Sequence, residues 1–425
     1  MADGLLLLVA IQGETLKLND WLVWLNSFSD ELNDTFTQIN LVEYYHLQRM
    51  ITTFQKHKLA QHHFMTSTGY GYHDLGRSTL EAVYAELWGA EAALVRQQIV
   101  SGTHAIYLCL RALAEPGQEI IFVGEPYATL STALGLKEKV LGNLKDKGVM
   151  LRIIDPSADF LVDEILKTDS RAPIVYLQRS GGYTSRAAFS AQMLRDTIGA
   201  IKSKFSSAIT FVDNCYGEFV EREEPTQIGA DLMAGSLIKN PGGGLAPTGG
   251  YIVGRRILVD IVSAQLYAPG LQGEVGPSLL SPRLFFQGLF SAPHLVGQAL
   301  KGAVLCARAF SELGYETTPS WNALRADIVQ RVVLGNPEDL ISFCRAIQHA
   351  SPVDSNAVPE PTPLPGYEDN IIMAGGTFIQ GSSSELTVDA PYRPPFAFYW
   401  QGALCFSHAK YALACGLDAL FTEVP

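Results

Sequence analysis

The sequence predicts an α/β fold, with a mainly parallel sheet in a large domain and a smaller C-terminal α+β domain. Short apolar runs alternate with helical patterns over residues 90–255, and such alternation is typical of parallel sheets with helices on both faces. Beyond Pro269 and Gly270 the pattern changes to a long helical region over residues 283–313. The length of 425 residues suits two domains that each bury a core.

Composition and charge favour a globular protein without a nucleic-acid surface. Hydrophobic residues make up 47% of the chain and charged residues 17%, which suits a heavily buried or oligomeric protein. The formal net charge of -12 argues against nucleic-acid binding, because phosphate backbones attract basic patches. This net charge still allows local basic sites for small anions.

Cysteine spacing and the first residues indicate a soluble, cytoplasmic protein. The six cysteines are scattered and form no C-x-x-C pair, a pattern that favours reduced, structural thiols. The apolar residues 5–11 follow no basic residue and are too few to span a bilayer. Metal ligands are not clustered either, since His62 and His63 stand alone. We therefore expect no membrane partner and no bound metal.

Residues 1–60 are predicted to form a helical arm. Apolar side chains recur there at helical spacing, namely Trp21, Leu22, Leu25, Phe28 and Leu32. We expect the arm to lie across a partner subunit, because a large apolar surface on an acidic chain is best covered by a symmetric copy. We place the large domain at residues 61–285, and the connecting helix with the small domain at residues 286–425.

A glycine-rich loop over residues 68–77 precedes the sheet. Ser78 and Glu81 have the spacing of a capping box, which predicts that a helix starts at Ser78. The loop would then present Tyr70 and Arg77. Such a loop either carries function or merely connects elements while its tyrosines pack on neighbours, and the residues alone leave both open.

A turn of small residues follows the first predicted strand, at residues 92–95. Ser101, Gly102 and Thr103 form this turn and open an apolar helix at residues 105–114. Free N–H groups at the positive end of a helix dipole suit a phosphate. Ser and Thr also cap most ordinary helices, so the turn is compatible with a plain cap.

The other strands of the large domain are short apolar runs. Tyr127 comes shortly after one of them, where its ring would either stack on a flat cofactor or pack in the core. The runs lie at residues 119–123, 150–154, 174–177 and 209–212, with helices after residue 128 and at residues 190–204, and residues 251–253 return antiparallel at the sheet.

The smaller domain is entered through the helical region 283–313, which Pro293 is expected to interrupt. Its elements alternate in type, as expected of an α+β domain. They are a strand at residues 328–334, a helix at 338–349, a proline-rich loop at 352–365, strands around 371–378 and 396–400, and a final helix at 408–420.

One lysine and one aspartate point to a cofactor. Asp213 directly follows the strand at 209–212, and Lys239 stands between an apolar run and the glycines at 242–244, with Ser236 three residues before it. Ligands bind at the carboxyl ends of parallel strands. Pyridoxal 5'-phosphate (PLP) requires a lysine for its Schiff base and a carboxylate at its pyridine nitrogen. The pair therefore predicts PLP, and desolvation is expected to lower the pKa of Lys239.

Each of these two residues also has an ordinary explanation when taken alone. A lysine before Asn-Pro-Gly is typical of a surface turn. An aspartate after a strand is often only a helix cap. The combination with Ser236 and the glycines is what favours the cofactor.

Several longer motifs resemble those of the fold-type I PLP enzymes, in the lyase group of cysteine and methionine metabolism. Within that group the sequence is most similar to the methionine γ-lyase-like family, often labelled aluminium-resistance proteins. The resemblance begins at about residue 40 and reaches the C-terminus. It is carried by residues 69–77, 98–104, 211–219, 235–250, 351–354, 365–369 and 393–395. The resemblance implies the fold-type I transferase fold, with a mainly parallel seven-stranded sheet.

The resemblance also implies roles for individual residues. Lys239 would form the Schiff base, Asp213 would pair with the pyridine nitrogen, and Tyr127 would stack on the ring and act beside Lys239 in catalysis. The phosphate would be held by Ser101, Gly102, Thr103 and Ser236, with Tyr70 or Tyr72 and Arg77 contributed by a neighbouring subunit. Arg393 would bind the substrate α-carboxylate, because a planar guanidinium makes bidentate bonds to carboxylates.

The implied activity is that of a PLP-dependent lyase, which eliminates a thiol from a sulfur-containing amino acid. Cystathionine β-lyase and methionine γ-lyase types both fit. Ile238 stands where the group usually has a small hydroxyl residue, and this departure leaves the substrate open. The alternatives are another PLP enzyme (a γ-replacement transferase, aminotransferase or racemase) and a non-catalytic, metal-stress-related fold relative. The implied assembly is a homodimer or tetramer with shared sites.

Overall fold

The computed structural model describes residues 17–137, 140–156, 161–168, 170 and 172–421. The apolar residues 5–11 lie outside these ranges. Contacts divide the chain into a larger unit, Tyr45–Pro293, and a smaller unit that contains the residues up to Tyr44 and those from His294 onward. These boundaries differ from the predicted ones after residues 60 and 285.

Eleven α-helices and twelve strands are formed by the described residues. The helices are α1 (Leu18–Asn26), α2 (Ser29–Lys56), α3 (Leu75–Leu87), α4 (Gly102–Leu113), α5 (Ala128–Leu134), α6 (Leu161–Leu166), α7 (Ala191–Lys204), α8 (Arg256–Leu266), α9 (Pro282–Glu312), α10 (Pro337–His349) and α11 (Phe406–Phe421). The strands are β1 (Ala92–Arg96), β2 (Glu119–Val123), β3 (Met150–Ile154), β4 (Ile174–Gln178), β5 (Ile209–Asp213), β6 (Leu232–Ser236), β7 (Gly250–Gly254), β8 (Thr317–Thr318), β9 (Gln330–Val333), β10 (Ile371–Ala374), β11 (Thr387–Pro391) and β12 (Ala397–Gln401).

The larger unit contains a seven-stranded sheet in the order β1-β7-β6-β5-β4-β2-β3. Strands β2 to β6 pair in parallel, and β7 runs antiparallel to both of its neighbours. The predicted mainly parallel sheet and the antiparallel return at residues 251–253 are confirmed. The central strands β4 and β5 are buried along almost their whole length, as expected of parallel strands covered on both faces.

Strand β6 was not predicted as a strand. Its sequence contains small residues, including Gly235, and small residues are weak strand formers. Packing explains the glycine in this strand, because a Cβ atom at position 235 would lie only 2.6 Å from the hydroxyl oxygen of Tyr251 on the neighbouring strand. This contact is long-range, so local propensity does not report it.

The predicted capping box of Ser78 and Glu81 was wrong. Helix α3 begins earlier, at Leu75, and the side chain of Asp74 caps it by accepting a 2.9 Å hydrogen bond from the amide of Arg77. Glu81 instead accepts hydrogen bonds from the amide of Val95 (3.0 Å) and the guanidinium of Arg96 (2.6 Å). The carboxylate of Glu81 is therefore used to fix β1.

The smaller unit is built on an antiparallel sheet in the order β10-β11-β12-β9-β8. Its core is aromatic, with the rings of Phe343 and Phe398 stacked at 4.2 Å and Phe310 edge-on to both. The predicted strands around 328–334, 371–378 and 396–400 correspond to the shorter β9, β10 and β12. The separate α+β domain is thus confirmed.

The first helix belongs to the core of this smaller unit. Trp21 and Trp24 are 1% and 2% exposed, and they join one buried cluster with Phe310 and Phe343. The ring of Trp21 also lies 5.6 Å from that of Phe421. The expectation that this apolar face lies across a partner subunit was wrong for these residues, because the chain covers it with its own core.

Helix α9 continues through Pro293, which was expected to interrupt it. A proline inside a helix removes one backbone hydrogen bond. Here Leu289, Ala292 and Val296 around it are buried, so packing of the apolar face offsets the loss.

Neither a membrane span nor a metal site is evident in the described part of the chain. None of its helices is long and apolar enough to cross a bilayer. Its His, Cys, Asp and Glu side chains form no group of three or more that could hold a metal ion.

Candidate active site

Lys239 and Asp213 come from neighbouring parallel strands of the large sheet. Asp213 is the last residue of β5 and pairs in register with Ala234 on β6. Strand β6 ends at Ser236, and Lys239 follows three residues later. Both side chains therefore lie at the carboxyl edge of the sheet, where open α/β folds bind ligands.

The carboxyl group of Asp213 is buried and held by two donors. Asp213 is only 3% exposed. The Tyr176 hydroxyl donates to one oxygen at 2.9 Å, and the amide of Cys215 donates to the other at 3.0 Å. Burial raises the pKa of Asp213, and these two hydrogen bonds offset the rise only in part. The carboxyl group is thus oriented and ready for a cationic partner.

The amine of Lys239 lies on an aromatic ring. Its Nζ atom is 3.5 Å from the centroid of the Tyr216 ring. Burial disfavours the ammonium, but Tyr216, Cys215 and Asp213 together outweigh it and raise the pKa of Lys239. The expectation of a pKa lowered by desolvation was wrong here, because nearby electronegative groups dominate.

Tyr216 was not singled out from the sequence. It lies in the turn that follows β5 and has a left-handed backbone, with φ 72°. Gly217 closes this turn with a 3.0 Å bond from its amide to the carbonyl of Asn214. A non-glycine residue in this region is uncommon and often marks a functional site. The sequence places Tyr216 three residues after Asp213, but it does not reveal the unusual φ.

A buried arginine supports the Tyr216 turn, and it too was missed. The guanidinium of Arg179 donates to the side chain of Asn214 at 2.8 Å and to the carbonyl of Gly217 at 3.0 Å. It also forms ion pairs with Glu221 at 2.7 Å and Glu224 at 3.4 Å. A Cβ atom at Gly217 would lie 2.5 Å from the Arg179 side chain, so this position requires glycine.

The turn of small residues meets β6 at the same edge of the sheet. The Ser101 hydroxyl accepts a 3.0 Å bond from the amide of His104 and so caps α4. A Cβ atom at Gly102 would lie 3.2 Å from that of Ser236. Helix geometry leaves the amides of Gly102 and Thr103 without intrahelical acceptors. The arrangement joins a helix N-terminus and a serine, which together suit a phosphate.

Tyr127 connects this turn to the Asp213 side of the site. It precedes α5, and its hydroxyl donates to the hydroxyl oxygen of Thr103 at 3.1 Å. Burial raises the pKa of Tyr127 above its ordinary value, and the nearby charge of Asp213 raises it further. Tyr127 is therefore a neutral phenol that contacts the turn of small residues and lies near the carboxyl group of Asp213.

Arg77 and Tyr70 have different environments within the glycine-rich loop. The guanidinium of Arg77 is buried and donates to the carbonyls of Gly71 (2.8 Å), Gly276 (2.7 Å) and Glu274 (3.2 Å). The ring of Tyr70 stacks on that of Tyr72 at 5.4 Å, and the two residues are 72% and 53% exposed. Arg77 thus shapes the loop, and the tyrosines stand on the surface of the larger unit.

Arg393 belongs to the smaller unit. Its guanidinium donates to the carboxylate of Asp369 at 2.9 Å, and about half of the side chain is exposed. An exposed ion pair of this kind contributes little to stability, so another carboxylate can replace Asp369 at low cost.

Known proteins are similar to this chain in sequence and in fold over most of their length. The uncharacterized protein YnbB of Bacillus subtilis (strain 168) is 46% identical over 380 residues, which cover 88% of this chain and 90% of the relative. A solved structure from Listeria monocytogenes carries the provisional name of a cystathionine beta-lyase involved in aluminum resistance. It is 42% identical, with a TM-score of 0.90, and the match covers 93% of this chain and 99% of that chain.

A second solved structure has a more general name, a carbon-sulfur lyase involved in aluminum resistance from Clostridium novyi NT. It is 39% identical, with a TM-score of 0.89, and the match covers 94% of this chain and 96% of that chain. The family model described as methionine gamma-lyase matches residues 23–421. The chain therefore belongs to the methionine gamma-lyase family.

Proposed function

We propose that this protein is a PLP-dependent carbon-sulfur lyase, which releases a thiol from a sulfur-containing amino acid. The observation that carries the proposal is the placement of Asp213 at the end of β5 and of Lys239 just beyond the end of the adjacent β6, beside a helix N-terminus. Membership of the methionine gamma-lyase family supports the cofactor. The names of the two solved relatives support carbon-sulfur bond cleavage.

The residues at the sheet edge fit PLP in chemistry and in space. Gly102 approaches Ser236 so closely that even a Cβ atom would be tight, and the free amides at the start of α4 suit a dianionic phosphate. In this proposal Ser101, Gly102, Thr103 and Ser236 hold the phosphate. Tyr127 stacks on the ring, and Asp213 pairs with the ring nitrogen.

When bound, PLP supplies an electron sink for the charge that develops at the substrate α-carbon. Asp213 sustains that sink by holding a proton on the ring nitrogen. A cation held at this position would oppose the rise that burial causes in the pKa of Asp213. Tyr176 and the amide of Cys215 keep this carboxyl group in one orientation.

Lys239 moves the proton. Its amine removes the α-proton of the substrate and returns a proton later in the reaction. The Tyr216 ring beneath Nζ favours the protonated amine, which is the form that Lys239 takes after it has accepted the proton.

Arg393 binds the substrate α-carboxylate in this proposal. The exposed pair with Asp369 supports such an exchange of partners, because the substrate carboxylate has the same chemistry as the side chain that it replaces. A substrate that lacks the α-carboxylate is expected to bind much more weakly.

Product analysis tests the proposal. The purified protein, supplied with PLP, is incubated separately with L-cystathionine and L-methionine, and thiol, ammonia and 2-oxo acid are quantified. A lyase releases all three in equal amounts, and Lys239→Ala provides the inactive control. An amino-group transfer without thiol release, a racemised substrate, or a replacement product without ammonia would contradict the proposal.

A further inference from the structure

Glu218 is a buried acid that the proposed chemistry does not use. It lies in the turn after β5, two residues beyond Tyr216, and is 0% exposed. Its Oε1 atom accepts a 2.6 Å hydrogen bond from the Tyr251 hydroxyl, and Oε2 has no hydrogen-bond partner among the described residues. An ionised carboxylate in such a place would be costly.

Within the described part of the chain, Glu218 forms no ion pair. The titratable groups that face it are Tyr251 on β7, Tyr84 on α3, and Asp213, Cys215 and Glu224 near its own turn. Burial raises the pKa of Glu218 to about 8, and the nearby carboxyl groups of Glu224 and Asp213 add to the rise. The nearby cation Arg179 is paired with Glu221 and Glu224.

Glu218 is fixed at both ends. Its side chain is bound to Tyr251, for which Gly235 leaves the necessary space. Its backbone carbonyl accepts a 3.0 Å hydrogen bond from the side chain of Asn240, the residue next to Lys239. One residue therefore connects β7, the Tyr216 turn and the lysine loop.

We propose that Glu218 is a positioning residue that works as a neutral carboxylic acid and locks the Tyr216 turn to the Lys239 loop. The role in aligning Lys239 rests on the proposed function, but the neutral state of the acid does not. A neutral acid accepts from Tyr251 without a buried charge. Ionisation would place a buried carboxylate beside Asp213 and Glu224, a cost that the hydrogen bond from Tyr251 offsets only in part.

Infrared spectroscopy of the full-length protein tests the neutral state. The difference spectrum between the wild type and Glu218→Gln should contain the carbonyl band of a protonated carboxyl group at neutral pH. This band should give way to carboxylate bands as the pH passes about 8. The exposed Glu223, taken as Glu223→Gln, is the control and should show only carboxylate bands. Carboxylate bands from Glu218 at neutral pH would overturn the proposal.

Tyr251→Phe sharpens this experiment. The hydrogen bond from Tyr251 lowers the pKa of Glu218, so its removal should move the loss of the acid band to higher pH. An unchanged or lower midpoint would contradict the pairing of the two side chains.

Kinetics test the positioning role. Glu218→Leu should lower kcat by about tenfold to a hundredfold, since small misplacements of catalytic groups have effects of this size, while KM changes far less. Glu218→Gln, which keeps the hydrogen bond to Tyr251 without charge, should restore most of the loss. If Glu218→Leu loads PLP and turns over normally, the positioning role is refuted. If the wild type takes up no PLP, the proposed function fails while the infrared result stands.

Discussion

The Nζ atom of Lys239 lies 3.5 Å from the centroid of the Tyr216 ring. Tyr216 adopts a left-handed backbone to reach this position, and Arg179 holds the turn from beneath. The contact between the amine and the ring is therefore fixed by the surrounding structure. Tyr216 is also the neighbour that contributes most to raising the pKa of Lys239, through the electrostatics and hydrogen bonding of its side chain.

Replacing this ring should change the titration of Lys239. Tyr216→Leu removes both the ring face and the hydroxyl, and it should lower the pKa of Lys239 by about one unit, the scale of a desolvated cation–π contact. Tyr216→Phe keeps the ring and should shift it less. The rate at which PLP attaches to the PLP-free protein is measured as a function of pH, because this rate depends on the fraction of Lys239 that is neutral. Identical profiles for Leu and wild type would exclude the contribution of the ring.

Asp213→Asn should lower turnover by at least ~100-fold, on the scale of other electrostatic contributions in catalysis. The amide keeps the shape of the carboxyl group but cannot hold a proton on the ring nitrogen. Steady-state kinetics measure the loss, and circular dichroism confirms that the variant is folded. Near-normal turnover would refute the role of Asp213.

His46 should make the protein less stable in acid. Burial lowers the pKa of His46 from 6.5 to about 4, and its Nε2 atom is bonded to the carbonyl of Glu221 at 2.7 Å. Between these two values the unfolded state binds a proton that the folded state does not. The free energy of unfolding should therefore fall as the pH drops from about 6.5 to about 4, by up to about 1.4 kcal/mol per pH unit.

Urea unfolding of the wild type and His46→Gln over this range measures the contribution. The variant keeps a hydrogen-bonding side chain but cannot titrate, so its stability should fall less steeply. Parallel curves for the two proteins would show that His46 binds its proton equally well in the folded and unfolded states, and would contradict the lowered pKa.

Assembly can be tested by mixing inactive chains. We propose that the exposed Tyr70 reaches the phosphate site of a neighbouring subunit, whereas Arg77 shapes the loop from within. Lys239→Ala and Tyr70→Ala chains are combined and allowed to exchange. Mixed dimers then contain one intact site, so activity should reappear. A mixture that stays inactive after proven exchange would mean that the loop serves its own subunit.

Much of the fold could be predicted because most strands of the large sheet correspond to local patterns of apolar residues in the sequence. The runs that became β2, β4 and β5 are continuous and apolar, and periodicity detects such runs. Strand β6 was not predicted because its Gly235, a weak strand former, is required by a contact with Tyr251 on another strand. The cap of α3 was misplaced because both Asp74 and Ser78 fit the local rule, and only the partner of Glu81 decides between them.

The candidate site divides in the same way. Lys239, Asp213 and the Ser101 turn could be chosen from residue type and position after strands, and they meet at one edge of the sheet. Tyr216, Arg179 and Glu218 could not, because their roles depend on burial and on partners distant in sequence. The direction of the Lys239 pKa shift was missed for the same reason, since it depends on which groups surround the amine.

The attachment point of the cofactor is the most direct test of this account. The protein is loaded with PLP, reduced with borohydride and digested, and the labelled peptide is identified by mass spectrometry. We expect the label on Lys239, and we expect Lys239→Ala to bind PLP without any reducible link. A label on another lysine, or a protein that takes up no PLP at all, would contradict the assignment of the active site.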